Sequence, residues 1–172
     1  MGTLVDWQIA TYAENGMITP FSKDLINPAS YDVTLDKNIL IQGDSYYLTW
    51  EKLEISEYGY DLQPGEFILG SIQERLKLPS KIEAEFCLKS TVARSGIQHL
   101  MAGYADPGYE GNMTLELKNV TDSVVPIHYG MKIGQLRFNA LEVAPFRDYS
   151  QTGHYQGDSG VMPSRFYEES IL

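Results

Sequence analysis

The sequence predicts a mainly β fold, a barrel or sandwich of short strands, on three observations. Apolar and polar residues alternate in short runs, Tyr31-Asp32-Val33-Thr34-Leu35 being the clearest. Turn formers bound those runs: Pro64-Gly65, Pro107-Gly108, Asp122-Ser123 and Tyr129-Gly130. Only two short segments carry helix signals, so strands must supply most of the core.

In chain order, residues 6–16 read as one short helix, with Asp6 as N-cap and Asn15-Gly16 as the stop before Pro20. Strands follow at 31–35, 38–41 and 67–72, and the same texture returns at 112–117, 124–128 and 132–138. Between them, Lys89-Ser90-Thr91-Val92-Ala93-Arg94-Ser95-Gly96 reads as a single helical turn that Gly96 can end. Such a turn among strands is either an anion site, because its first N–H groups lack partners, or a capped surface helix whose serine serves only itself. Residues 149–165 are rich in Gly, Ser, Gln and Asp without apolar period, which suits a flexible lid at 149–172 on a single domain spanning 1–172.

Composition narrows the function classes. With 43% hydrophobic and 21% charged residues in 172, this is a folded chain and one domain's worth of core. Thirteen basic against 23 acidic residues give a net charge of −10, with no cationic run, which argues against a nucleic-acid polymer or an anionic membrane as partner. The single cysteine, Cys87, permits no internal disulfide and fills no zinc site by itself. Neither a signal-like amino terminus nor a run of 18 apolar residues occurs, so a cytoplasmic protein is expected, in the host cytoplasm if the source is viral.

The most informative stretch is 103–119. Asp106 and Tyr109 fall in its turn, and Glu116 on the strand that follows. Alternation puts Met113, Leu115 and Leu117 on one face and Thr114, Glu116 and Lys118 on the other. Read alone, Glu116 is an ordinary solvent-facing carboxylate.

Four segments in order alter that reading: Ile26-Asn27-Pro28-Ala29-Ser30-Tyr31-Asp32-Val33-Thr34-Leu35, the 89–94 turn, residues 102–119, and Gly130-Met131-Lys132-Ile133-Gly134-Gln135-Leu136. Together they resemble the dCTP deaminase family over most of the chain. The resemblance implies a distorted β-barrel of the dUTPase-like (β-clip) type, with a short N-terminal helix and one short helix carrying the Ser90-Thr91 phosphate site. It implies a homotrimer that turns dCTP and water into dUTP and ammonia, supplying deoxyuridine nucleotide for dTTP synthesis, with dTTP as an inhibitor. The related dUTP diphosphatases use the aspartate matching Asp106 to prepare a water, and usually carry an apolar residue where Glu116 stands. The alternatives are therefore a dUTP diphosphatase, a bifunctional deaminase and diphosphatase, or a non-catalytic nucleotide-binding trimer.

Zinc deaminases use a metal-bound water held by His and Cys ligands. This chain has no Pro-Cys-x-x-Cys element and only His99, His128 and His154 beside Cys87, so the expectation is no zinc and no metal held by protein side chains. Acid–base work by one carboxylate is the other route, and Glu116 is the candidate. By resemblance, Ser90 positions the water, Arg94 lies close to Glu116, and a carbonyl near Ala102 assists. Lys89 and Thr91 contact phosphate oxygens, Asp106 accepts from the sugar 3′-hydroxyl, and Tyr109 stacks near the sugar. Gln135, Tyr149, His154, Tyr155 and Asp158 complete the expected substrate contacts, and Mg2+ arrives bound through the nucleotide phosphates. Two departures stand out: Lys89 replaces an arginine found in some members, and the lid reads His154-Tyr155-Gln156-Gly157-Asp158 where a Lys-Tyr pair and a Gln are usual.

Overall fold

A computed structural model describes residues 2–166. After β1 (Gly2–Thr3), helix α1 (Asp6–Tyr12) begins one residue earlier than expected. Val5, extended at φ −97° and ψ 172°, holds the N-cap position that Asp6 was expected to fill. The Gln8 carboxamide accepts from the Val5 N–H at 3.1 Å, and the Asp6 carboxylate accepts from Trp7 N–H at 2.8 Å, so Asp6 serves the first turn from inside it. The predicted stop is present, because residues Ala13–Met17 form a wider turn that Gly16 closes at φ +92°.

The strands follow: β2 (Ile18–Thr19), β3 (Ile26–Asn27), β4 (Ser30–Thr34), β5 (Asn38–Gln42), β6 (Trp50–Glu54), β7 (Tyr60–Leu62) and the long β8 (Phe67–Lys77). Strand β8 outruns its predicted end at residue 72 because Glu74 points inward, against its polarity. Its carboxylate accepts from the Thr34 N–H at 3.0 Å and the Thr34 hydroxyl at 2.9 Å, which satisfies a buried acid. Burial pushes the Glu74 carboxyl above its usual range, against those hydrogen bonds.

Then come β9 (Ile82–Leu88), α2 (Ser90–Arg94), β10 (Ile97–His99), β11 (Tyr104–Ala105), β12 (Glu110–Asn119), β13 (Val125–Ile127), β14 (Lys132–Ala140) and α3 (Tyr149–Thr152). All ladders are antiparallel. One sheet runs β11-β9-β14-β4-β3 with β1 on β14, a second β10-β12-β8-β5-β6 with β2 on β8, and β13 pairs with β7. An isolated Leu35–Ile72 bridge joins the two large sheets. The fold is thus mainly β, as predicted, but among the described residues the distorted barrel does not close.

One apolar cluster draws on both sheets: Tyr31, Leu136 and Phe138 from the first, Ile68, Leu115 and Leu117 from the second, all fully buried. Each such side chain stabilises the fold by about 1.5–3 kcal/mol relative to exposure. Burying one face of β12 leaves its other face free to work. Among the described residues no helix is long and apolar enough to cross a membrane.

Candidate active site

Strand β12 alternates as predicted, with Met113, Leu115 and Leu117 buried and Thr114 and Glu116 half-buried on the other face. That outer face lines a cavity of about 420 Å3, together with Asn112 from the same strand and Leu69 of β8, which pairs directly with Glu116. The turn before β12 closes one end: Asp106, exposed, and Tyr109, buried, both line the same cavity, as does Ala102. The Tyr109 ring meets Tyr149 edge-on at 5.7 Å between centroids. Burial, then the nearby Asp158 charge, push the Tyr109 hydroxyl well above its usual range, so it stays a proton donor.

The far wall is the tail, which runs as a strap along β12. The Gln156 carboxamide accepts from the Glu110 N–H at 3.0 Å and donates to the Gly108 carbonyl at 3.1 Å. Further on, the Asp158 carbonyl accepts from Asn112 N–H at 3.2 Å, and Met162 N–H donates to the Thr114 hydroxyl at 3.1 Å. Gly111 is needed beneath this strap, since a Cβ there would stand 2.9 Å from the Tyr109 hydroxyl and 3.1 Å from the Asp158 carbonyl. Tyr155, Asp158 and Tyr149 therefore line the cavity. The expected lid at 149–172 is described to residue 166, and its last six residues lie outside the described part.

Asp158 does not confront the cavity as a bare charge. Arg165 donates to its carboxylate at 2.8 Å, stacks over the Tyr155 ring at 5.0 Å, and donates to the His154 carbonyl. His154 itself is not among the residues lining the cavity.

The other predicted residues lie elsewhere on the chain. Ser90, Thr91 and Arg94 are exposed on α2 and absent from the cavity wall. Ser90 does not cap its helix: Lys89 holds the N-cap position without a side-chain bond. Arg94 makes no ion pair among the described residues, so within one chain the expected Arg94–Glu116 contact does not form; the group beside Glu116 is His99, with Nε2 3.2 Å from Oε2. Lys89 and Gln135 join a separate cluster on β4, β9's end and β14. Lys89 Nζ lies 2.7 Å and Lys132 Nζ 3.4 Å from the two Asp32 oxygens, the Asn27 amide donates to Asp32 at 2.8 Å, and Ser30 donates to Gln135 at 2.9 Å. Burial works against ionised Asp32, but the Lys89, Asn27 and Lys132 contacts outweigh it and hold the carboxyl below its usual range.

Residues 3–141 match the family model described as dCTP deaminase-like. This chain belongs to that family. A relative from Bifidobacterium longum (strain DJO10A), called "dCTP deaminase, dUMP-forming", is 40% identical, covering 88% of this chain and 86% of the relative. One of the same description from Corynebacterium diphtheriae is 35% identical over 94% of this chain and 95% of its own length. Another from Methanosphaerula palustris is 36% identical, with 96% of each chain covered. The crystal structure of 2'-deoxycytidine 5'-triphosphate deaminase from Agrobacterium tumefaciens superposes with a TM-score of 0.69 at 22% identity, covering 81% of this chain and 48% of that one, and attests the fold. As a dCTP deaminase-like protein, the chain gathers Glu116, Asp106, Ala102 and Tyr109 in one cavity and sets Ser90, Thr91 and Arg94 on a different surface.

Two parts of this deaminase-like cavity escaped the sequence reading. Asn112 shares the Glu116 face by the same alternation that already placed Thr114 there, a signal that was available. Leu48, Trp50 and Phe67 form the apolar end of the cavity, the last two edge-on at 5.8 Å, and only the β8-β5-β6 pairing brings them there.

Proposed function

We propose that this protein deaminates dCTP, with Glu116 as the acid–base group, and then releases pyrophosphate from the dUTP formed, leaving dUMP. The observation that carries the proposal is that Glu116 and Asp106 line one cavity whose wall, among the described residues, includes no lysine or arginine. Two carboxylates with separate positions suit two successive reactions of water. In the first, Glu116 takes a proton from water as the oxygen adds to C4 and delivers a proton to N3 of the ring. The C4–N4 bond then breaks, ammonia leaves with a proton passed on by Glu116, and the C4 carbonyl of uracil forms. In the second, Asp106 removes a proton from a water that attacks the α-phosphorus, and magnesium pyrophosphate departs. The dUMP-forming names of the relatives favour this second step over a pure deaminase.

A triphosphate needs cations that this cavity lacks. We propose that α2 of a neighbouring copy in a homotrimer supplies them, with Ser90 holding the water beside the Ala102 carbonyl, Arg94 approaching Glu116, and Thr91 and Lys89 reaching phosphate oxygens. The exposure of Ser90, Thr91 and Arg94 on α2 supports this, since a neighbouring copy can reach them there. Magnesium enters as part of the nucleotide substrate, offsetting its charge. On this reading dTTP, the end product that dUMP serves, competes for the same cavity, in a cytoplasmic enzyme.

The test is a product assay of the purified protein with magnesium on dCTP, dCMP and dUTP. Ammonia, dUMP and pyrophosphate from dCTP are expected. Accumulation of dUTP alone removes the second step. Ammonia release at the wild-type rate by Glu116→Gln sinks the first.

A further inference from the structure

We propose that His99 is a positioning residue for the deamination step, holding the Glu116 carboxylate so that one oxygen faces the reacting water. This rests on the deaminase reading above. His99 Nε2 stands 3.2 Å from Glu116 Oε2, with the side chains 6% and 25% exposed. Both atoms are sealed from solvent, and neither makes a hydrogen bond, because they are close but out of line. An orphaned buried polar atom costs about 1–3 kcal/mol, a cost that an aligned His99–Glu116 contact removes. Unsatisfied buried groups of this kind concentrate where function needs them.

The imidazole is held from behind. Phe86 packs against it edge-on, with centroids 4.9 Å apart. Gly103 leaves room for both rings: a Cβ there would lie 2.8 Å from the Phe86 Cβ and 3.0 Å from His99 Cε1. The backbone is pinned too, since His99 pairs with Leu117 and the Leu100 N–H donates to the Glu116 carbonyl at 3.1 Å. The end of β10 thus holds Glu116 by its main chain and sets the imidazole beside its carboxylate.

Glu116 lines the cavity beside β12, whereas His99 lines a second one of about 450 Å3 behind β10, with Phe86, Ala93 and Gly103. The pair forms part of the wall between them. A small rotation of the ring aligns Nε2–H on Oε2, which leaves Oε1 as the oxygen that takes and returns the proton. A neutral imidazole with its hydrogen on Nε2 is sufficient for this. The arrangement parallels the outer partners that orient reactive groups elsewhere, whose loss weakens function without touching the reacting atoms.

The test compares the full-length wild-type protein with His99→Phe, His99→Asn and His99→Gln. Phenylalanine keeps the contact with Phe86 but has no N–H, asparagine's amide is too short to reach Oε2, and glutamine can reach it with an N–H. Steady-state ammonia release from dCTP gives kcat and KM, and calorimetry gives dCTP binding in the presence of magnesium. The expected result is a loss of about 10- to 100-fold in kcat for the Phe and Asn variants, with KM and dCTP binding nearly unchanged, and recovery of most of it by Gln. Wild-type kcat in His99→Phe or His99→Asn overturns the proposal. So does an equal loss in all three variants accompanied by weakened dCTP binding, the mark of a packing role alone. If His99→Phe fails to fold, the Asn and Gln pair decides by the same criterion. A wild-type protein that releases no ammonia from dCTP fails the deaminase reading itself, an outcome distinct from an active wild type with an equally active His99→Phe.

Discussion

Beside β12, Glu116 and Asp106 line open space with no lysine or arginine among their neighbours in the wall. At the junction of β4, β9 and β14, Asp32 is met by Lys89, Lys132 and Asn27, and Ser30 is tied to Gln135. Both regions are rich in charge, and they use it differently. The second has charges matched to one another, which steadies the junction of three strands. The first sets Glu116 and Asp106 in a cavity wall without a lysine or arginine partner among the described residues, while Asp158 on the same wall is paired with Arg165. Incomplete satisfaction marks the candidate site more clearly than the number of charges does.

The sharpest break of this contrast is Glu116→Gln. Deamination of dCTP is expected to fall by about 10²- to 10⁴-fold, while the thermal midpoint holds or rises, because an unmatched carboxylate is removed. Ammonia release and calorimetric unfolding on the same preparation measure both halves. Asp106→Asn comes next: dUMP formation is expected to fall by about 10²-fold with ammonia release largely retained, so that dUTP accumulates. Loss of both products together would merge the two carboxylates into one role.

Asp32→Asn probes the matched region. Leaving Lys89 and Lys132 without their carboxylate is expected to cost about 1–3 kcal/mol by urea denaturation at pH 7. The sign with pH follows from the lowered Asp32 carboxyl. Its contribution is fully present above the ordinary carboxylate pKa and is lost as pH falls through the lowered, folded-state value. The wild type is therefore expected to lose more stability between pH 5 and pH 3, as order-of-magnitude limits about the carboxylate range, than Asp32→Asn does. Arg165→Gln has the smallest effect. It unpairs Asp158 at the strap, and the KM for dCTP is expected to rise a few-fold, about 0.5–1 kcal/mol, with kcat nearly constant. Unchanged KM would assign the Arg165–Asp158 pair to the strap's surface alone.

Much of the fold was open to reading because one face of each strand is apolar. The β12 alternation, the turn at Asp106 and the stop at Asn15-Gly16 are local patterns, and local physics suffices for them. Strand β8 was cut short because Glu74 looks like a surface residue until Thr34, forty positions away, is seen to satisfy it. Strand β6, with Glu51, Lys52 and Glu54 mostly exposed at an edge, shows no apolar face from which to predict it. The lid's Asp158 read as a departure from the usual Gln, and Arg165 answers its charge across a loop whose path no spacing rule supplies.

By itself the sequence determined the mainly β class, the family, and the residue types the chemistry needs, since alternation, turn residues and motif order are properties of neighbours along the chain. The tertiary structure decided which of those residues meet. It put Glu116, Asp106 and Tyr109 around one cavity, kept Ser90 and Arg94 on another surface, and set His99 against Glu116. The reason is that contact across sheets depends on register and strand order, which arise from burying the whole core at once rather than from any one segment.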